Sequence, residues 1–302
     1  MIKILHAWGK HLSITDDNGV ERLRYHYQLA EDAAPSAPKP FCHPIRTPEG
    51  REITAESPSD HAWHRGLWMT WKFVNGVNYW EENQEVVGRQ VTLQPPTLQA
   101  VPGEAGAVCW ISEIAWRDRK DGAEQTRLTE RRTITCRLVA DGAMVLDWIS
   151  EQTPQEAVIL DRAPFTTWGG YSGLVARMTQ ALQEQEIVLA DGTRTSRPTG
   201  QRHAWGGIEG QLEANQDHCH CAAFVFLPSP RNRRYPEPMY GNANRSGSFF
   251  GPAPLFESPL SLENGEVLRH ACRVLILPRR IDADEVDGYH RDWQASETAN
   301  AV

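Results

Sequence analysis

The sequence predicts a large antiparallel all-β domain with little helix, and three features carry that reading. The dominant hydrophobic period is two. The segments that show it are rich in Val, Ile, Thr and Trp, the residues that suit a pleated, half-buried surface. Asp-Gly, Asn-Gly and Glu-Gly turn signals stand between them.

Taken in order, HLSITDD (residues 11–17) is a first strand that runs into an Asp-Asn-Gly turn. Pro-Glu-Gly at 48–50 and Val-Asn-Gly at 74–76 punctuate the next stretch. AVCWISEIAW (107–116) alternates and is followed by Lys-Asp-Gly. EQTRLTERRTITCRLVADGAMVLDWISEQ (124–152) reads as a long strand, a tight Asp-Gly turn and its partner strand. CAAFVFLP (221–228) runs apolar throughout. DADEVDGYHRDWQA (282–295) reads as a short helix with Asp282 as its N-cap. Two stretches read as loops: the Pro/Ala-rich 30–40 and the Pro/Gly-rich 227–254. No repeat of fixed period is visible. Residues 1–302 therefore read as one domain with functional loops near 39–82 and 227–254. Long loops in a compact domain tend to carry function, and these hold aromatics, Arg and Pro.

Composition narrows the function classes. The chain has 302 residues, ample for a buried core, and 31 Lys and Arg against 39 Asp and Glu give a net charge of −8. No basic run exists, so nucleic acid is not an expected partner. No apolar run approaches the roughly 20 residues that cross a bilayer, so neither is a membrane. MIKILHAWGKHLSITDDNG has neither the apolar length nor the cleavage site of a signal peptide, and a cytoplasmic protein is expected. The 6 Cys are scattered without framework spacing and read as buried thiols. The 11 Trp outnumber 8 Phe and 7 Tyr, which suits flat stacking surfaces as well as a Trp-rich core.

Chemistry concentrates in SPSDHAWHRGLWMTWKFVNGVNYWEE (57–82). His61 and His64 stand three apart beside Asp60 and Arg65, and His43 supplies a further imidazole. Imidazoles serve as acids and bases near neutral pH and as metal ligands. His43, His61 and His64 could thus hold a divalent metal, though H-x-x-H is a far weaker signature than H-E-x-x-H. The plainer alternative is that these rings hold loops by hydrogen bonds. Trp68 and Trp80 offer stacking faces, and Glu81 and Glu82 place carboxylates beside the latter. Sugars are bound by such pairings, with a C–H face on an aromatic ring and hydroxyls on carboxylates and Arg.

Further along, FTTWGGYSG (165–173) sets Trp168 and Tyr171 among glycines that permit close backbone approach. Ser172 there is no nucleophile elbow, having Gly after it but Tyr before it. DHCHC (217–221) would, as a strand, split its His from its Cys onto opposite faces. PRNRRYPEPMY (230–240) presents Asn232, Arg234 and Tyr235 on a Pro-stiffened backbone.

KPFCHPIRTPEG, DHAWHRGL, VNGVNYW, GGYSGL, HAWGGIEG and NRRYPEP, in that order, resemble the motifs of a bacterial family labelled methane oxygenase PmoA-like. The resemblance runs from about Lys39 to about Leu277 and adds Trp205 to the candidate binding residues. It departs at Trp63, where the family often has His, at Asn78, where Asp is frequent, and at Met239-Tyr240-Gly241, where a Trp-His-x-Arg-like segment is usual. The label misleads, because such an oxygenase subunit spans membranes. What the resemblance implies is a β-sandwich similar to galactose mutarotase, a supersandwich, in a carbohydrate context.

The composite expectation is a carbohydrate-active enzyme working by His/carboxylate acid–base chemistry on a sugar or keto-sugar. His43, His61, His64 and Glu82 are the expected catalytic groups. Asp60, Arg65, Trp68, Trp80, Trp168, Tyr171, Trp205, Asn232, Arg234 and Tyr235 are the expected binding groups. Elimination or hydrolysis of a keto-glycoside, and epimerisation or mutarotation, both fit. A non-catalytic carbohydrate-binding module and a metal-dependent hydrolase are the alternatives. The expected partner is a small saccharide, with a second copy of the chain as a further one.

Overall fold

Period-two alternation sorts the side chains into layers, and those layers are the fold. The structure, a computed structural model, describes residues 2–29, 39–82, 87–104, 106–120, 123–164, 169–214, 219–244 and 247–299. A nine-stranded antiparallel sheet runs in the order Lys3–Ala7, His11–Thr15, Glu21–His26, Phe41–Ile45, Leu67–Thr70, Gly173–Arg177, Phe249–Pro252, Glu237–Asn242, Gln201–His203. A ten-stranded sheet faces it. Its centre is the meander Ala107–Lys120, Ala123–Leu138, Met144–Pro154, continued by Leu268–Leu277, Cys219–Pro228 and Gly206–Ala214. The expected large antiparallel β-sandwich with little helix is what the chain forms.

The inner faces close one core. Leu12, Tyr25, Met69, Leu174 and Phe250 from the first sheet meet Trp110, Ile134, Leu146, Phe224 and Val274 from the second. Polar bonds cross this interior too. Tyr25 Oη meets Ser112 Oγ at 3.2 Å and Trp71 Nε1 donates to Gln152 at 2.7 Å. Arg132, wholly buried, is paired with Glu130 at 2.7 Å.

The ten-stranded sheet is covered on its outer face as well. Ala223, Val225, Leu227, Ala271, Leu275 and Leu277 point away from the sandwich into a second core with Val286 and Trp293 of helix Ala283–Ala299. This double burial explains why residues 221–228 are apolar throughout rather than alternating. Asp282 caps the helix as the sequence predicts, accepting from the amides of Asp284 and Glu285 at 3.0 and 3.3 Å.

A four-stranded sheet, Leu260–Leu262, Val158–Asp161, Phe73–Val74 and Val77–Asn78, flanks the sandwich. Its Asn75-Gly76 turn has φ of 48° and 78°, the two left-handed residues of a type I′ hairpin.

The stretch 227–254 corrects the expectation of a loop. It holds strands Glu237–Asn242 and Phe249–Pro252, paired in register Met239↔Pro252 to Asn242↔Phe249. Pro and Gly hid them in the sequence, because Pro cannot donate to a ladder and Gly weakens strand signals. Residues 39–82 likewise contain strands Phe41–Ile45 and Leu67–Thr70 at the middle of the nine-stranded sheet. Cys42, Cys109, Cys136 and Cys272 are thiols outside any disulfide.

Candidate active site

The outer face of the nine-stranded sheet carries the candidate site. Where Cys42, Leu67, Met69, Leu174, Ala176, Met239 and Phe250 point inward, their neighbours Phe41, Trp68, Val175, Arg177, Tyr240 and Phe249 must point outward. Cross-strand registers align them, with Phe41↔Trp68↔Val175 in one row and Arg177↔Phe249↔Asn242 in the next. Phe41, Trp68, Val175 and Trp80 form a small apolar cluster against which Trp63 and Tyr171 pack. Above it lies a cavity of about 180 Å³ lined by His61, Trp63, His64, Trp80, Glu81, Tyr171, Tyr240, Asn242, Gly247 and Phe249.

The histidines reach it on a hairpin-like excursion. Ser57 N donates to His64 O at 2.9 Å, and His64 N donates to His61 O at 2.9 Å in a tight turn. That turn brings residues three apart onto one side, and their rings stack at 4.7 Å with 24° between planes. Gly66 returns the chain to strand Leu67–Thr70 at φ 45°, where a Cβ would press on the Cys42 carbonyl and lie 2.8 Å from His43 Cβ.

Two side chains set the chemistry of this pair. Arg177 Nη2 donates to both oxygens of Asp60 at 2.7 Å, and Asp60 Oδ2 meets His61 Nδ1 at 2.8 Å. Burial alone would raise the Asp60 carboxyl. Bonds from Arg177 and His61 outweigh it and hold the group at about 2. An ionised carboxylate only accepts, so His61 Nδ1 carries the proton, and in the neutral ring Nε2 is the bare nitrogen. Arg177 Nη1 lies 3.1 Å from His64 Nδ1. A guanidinium only donates, so here Nδ1 is the acceptor and Nε2 carries the proton. His64 is 3% exposed, and burial, then Arg177, His61 and Lys39, push it well below the usual imidazole range against the pull of Asp60. It is a neutral ring that offers an N–H.

The opposite wall is built by Asn78. Its Oδ1 accepts from the amides of Trp80 and Glu81 at 2.9 and 3.2 Å, which turns both side chains into the cavity. Glu81 pairs with Lys72 and accepts from Tyr171 Oη at 2.9 Å. Burial would raise Glu81, but Lys72, Asn78 and Tyr171 together hold it below the usual carboxylate range. Burial and the Glu81 charge push Tyr171 up, so its hydroxyl stays protonated. Trp80 and Tyr171 rings meet at 4.7 Å.

The structure therefore gathers His61, His64, Asp60, Trp80 and Tyr171 from the expected set and sends others elsewhere. Glu82 turns away from the cavity to Arg65 and to Lys39 at 3.1 Å, so its neighbour Glu81 is the carboxylate on the wall. Arg65 also holds Glu56 at 3.2 Å and Ser57 at 2.5 Å. Arg65 and Lys39 line a different, larger hollow of about 530 Å³, where Glu56 also lies. His43 bonds Thr54 at 3.0 Å and faces Glu52 at 3.7 Å, apart from His61 and His64. The three rings do not form one ligand set, and no group of three or more metal-binding side chains converges among the described residues.

Trp68 is 0% exposed and lies beneath His64 and Trp80 rather than on the wall. Trp205 is buried in the second core, with Nε1 donating to Asp287 at 2.7 Å. Asn232 bonds Glu237 at 2.7 Å and both backbone groups of Ala271. Arg234 donates to the carbonyls of Pro254, Ser258 and Pro259, and Tyr235 Oη meets His290 at 3.1 Å. These three pin one chain segment to another. Trp168, Asp217 and His218 lie outside the described residues.

Glu81 and Tyr240, though noted in the sequence, were not among the expected site residues, and Arg177, Asn242 and Phe249 were not singled out by sequence at all. Strand alternation is the signal that could have found three of them, since each stands one residue from a core position once its strand is recognised.

The model of one protein family, described as a family of unknown function (DUF6807), matches residues 13–291. The chain belongs to this family. The DUF6807 description carries no methane-oxygenase label. No curated protein matches the chain. Solved structures to which this DUF6807 chain is similar include an alpha-galactosidase from Lactobacillus brevis, at 12% identity over 91% of this chain and 39% of that one, TM-score 0.45. A heparan sulfate lyase mutant from Pedobacter heparinus matches at 8% identity over 93% and 37%, TM-score 0.40. An aldose epimerase homologue from C. elegans matches at 10% identity over 91% and 94%, TM-score 0.31. The chain thus spans about two fifths of the first two structures. At these scores the likeness carries no argument about activity.

Proposed function

We propose that this protein is a carbohydrate-active enzyme that eliminates the leaving group of a keto-glycoside by proton transfer in the aromatic cavity. The observation that carries the reading is the stacked His61/His64 pair, one ring with a bare Nε2 and the other with an Nε2–H. A keto group acidifies the C–H beside it. His61 Nε2 takes that proton, and the C–H electron pair becomes an enolate. His64 Nε2–H donates to the enolate oxygen, where charge develops. The enolate then collapses to a C=C bond, and the substituent departs with its bonding pair. His61, now imidazolium beside ionised Asp60, returns the proton to the departing oxygen.

Trp63, Trp80, Tyr171, Tyr240 and Phe249 supply the faces on which a sugar ring stacks. The small cavity suits one ring. Glu81 and Asn242 supply hydroxyl acceptors. Epimerisation fits less well, because inversion needs a second proton donor across the ring. Glu81 is held ionised and brings none, and the Tyr171 hydroxyl proton is already engaged in its hydrogen bond to Glu81.

The test is incubation with a panel of keto-glycosides in deuterated water. Release of the aglycone as the unsaturated ketone forms, with solvent deuterium at the carbon beside the ketone in recovered substrate where proton abstraction reverses, and loss of both in His61→Ala, is the expected result. Saturable binding of the sugars by wild type and His61→Ala alike, with no release or exchange, would make the protein a carbohydrate-binding module instead.

A further inference from the structure

We propose that Arg177 is the positioning residue that holds His61 and His64 in opposite tautomers, and so decides which ring accepts a proton and which donates one. The proposal deepens the proton-transfer reading of this cavity and rests on it for its functional meaning. Its physical content can be read without any substrate.

The argument is one of donors and acceptors. The two imidazoles lie in one turn, stacked, and nothing in their own chemistry makes them differ. What differs is the partner. Arg177 spends Nη1 on His64 directly and Nη2 on Asp60, which in turn takes His61. Because a guanidinium has no acceptor and never deprotonates, a single side chain imposes an acceptor on one ring and, through a carboxylate, a donor on the other.

The clamp has little slack. The Arg177 side chain is 1% exposed and its Nε has no partner among the described residues. That cost is tolerable where both η nitrogens are bonded, Nη1 to His64 and Nη2 to Asp60. Gly247 closes over the pair. A Cβ there would stand 2.5 Å from Arg177 Nη2 and press on Asp60 Oδ2, so only glycine leaves the ion pair undisturbed. The charged groups facing His64 are Arg177, Lys39, Asp60 and, when protonated, His61. Arg177 ranks first among them in keeping the ring neutral.

The experiment is long-range proton–nitrogen correlation NMR on the full chain labelled with nitrogen-15 histidine, near neutral pH. Bare and protonated ring nitrogens resonate far apart, so each tautomer is read directly. In the wild type, His61 is expected to be bare at Nε2 and His64 bare at Nδ1. Asp60→Asn should scramble His61 and leave His64 unchanged. Arg177→Gln should scramble both.

The proposal is overturned if the wild-type rings share one tautomer, or if folded Arg177→Gln keeps both wild-type patterns. Should Arg177→Gln fail to fold, Asp60→Asn decides. His64 unchanged supports Arg177 as its partner, and His64 altered together with His61 removes that role. Opposite tautomers without turnover of any keto-glycoside would sink the proposed reaction and leave the Arg177 assignment standing.

Discussion

His61 and Glu81 are where single-residue chemistry is most exposed to test. Loss of the base in His61→Ala should lower aglycone release by about 10²- to 10⁴-fold, the usual worth of a positioned general base. Steady-state kinetics on the keto-glycoside would check it, and a change below tenfold would remove His61 from the proton path. The adjacent glutamates separate just as cleanly. Glu81 lines the cavity, whereas Glu82 is committed to Arg65 and buried Lys39. Glu82→Gln strips a carboxylate from these two cations and should cost about 3–5 kcal/mol of stability, as breaking buried pairs does. Sugar affinity of the folded fraction should stay within about twofold. Glu81→Gln should weaken that affinity by about tenfold, the worth of one charged hydrogen bond. Chemical denaturation beside calorimetric titration distinguishes the two, and an affinity loss confined to Glu82→Gln would place the sugar-binding carboxylate at position 82.

Adjacent strands Glu21–His26 and Phe41–Ile45 set a pH dependence of their own. Burial lowers His26 and His43 to about 4 each, from an ordinary 6.5. Arg24 and, for His43, Arg46 push the same way. Glu21 and the His43 carbonyl oppose the shift at His26. Above 6.5 both rings are neutral in folded and unfolded chains, and stability does not depend on them. Between 6.5 and about 4 the unfolded chain takes up protons that the native rings refuse, so stability falls as pH falls. Below about 4 the native rings protonate too and this loss levels off. The melting temperature should therefore drop across that interval, and His43→Gln should flatten the drop. A wild-type melting temperature that is level over the same range would contradict the argument.

Helix Ala283–Ala299 is what lets the ten-stranded sheet be apolar on both faces. Trp293 is 2% exposed in the second core, beneath the Arg273 guanidinium at 4.8 Å. Buried Glu297 clamps Arg269 at 2.7 and 2.8 Å and accepts from Ser229. Trp293→Ala should cost about 3–5 kcal/mol through the cavity it leaves. The helix lies across the opposite sheet from the histidine cavity, so ligand affinity of the folded variant should be unchanged. Denaturant titration beside ligand binding tests both halves, and a loss of affinity at full folding would mean the two outer faces are coupled.

Much of this was legible in sequence because it is local. Alternation, turn chemistry and the Asp282 cap act over a few residues, and they were enough for an antiparallel all-β chain with a C-terminal helix. The 57–82 stretch likewise announced His61, His64 and Trp80, because unusual residue density needs no fold to be seen. Direction was not legible. Nothing local tells Glu81 from Glu82, or places His43 apart from His61. That depends on which way a loop turns after Asn78 and on which strands pair. Trp205, Asn232, Arg234 and Tyr235 looked like binding groups, and long-range packing turned them into braces. Arg177 closes an apolar strand 113 residues after His64. Its meeting with His64 and Asp60 exists only once Leu67–Thr70 and Gly173–Arg177 lie side by side. Residue types and periodicity determine the strands, and tertiary pairing decides which polar groups face one another, because a hydrogen bond depends on distance in space rather than along the chain.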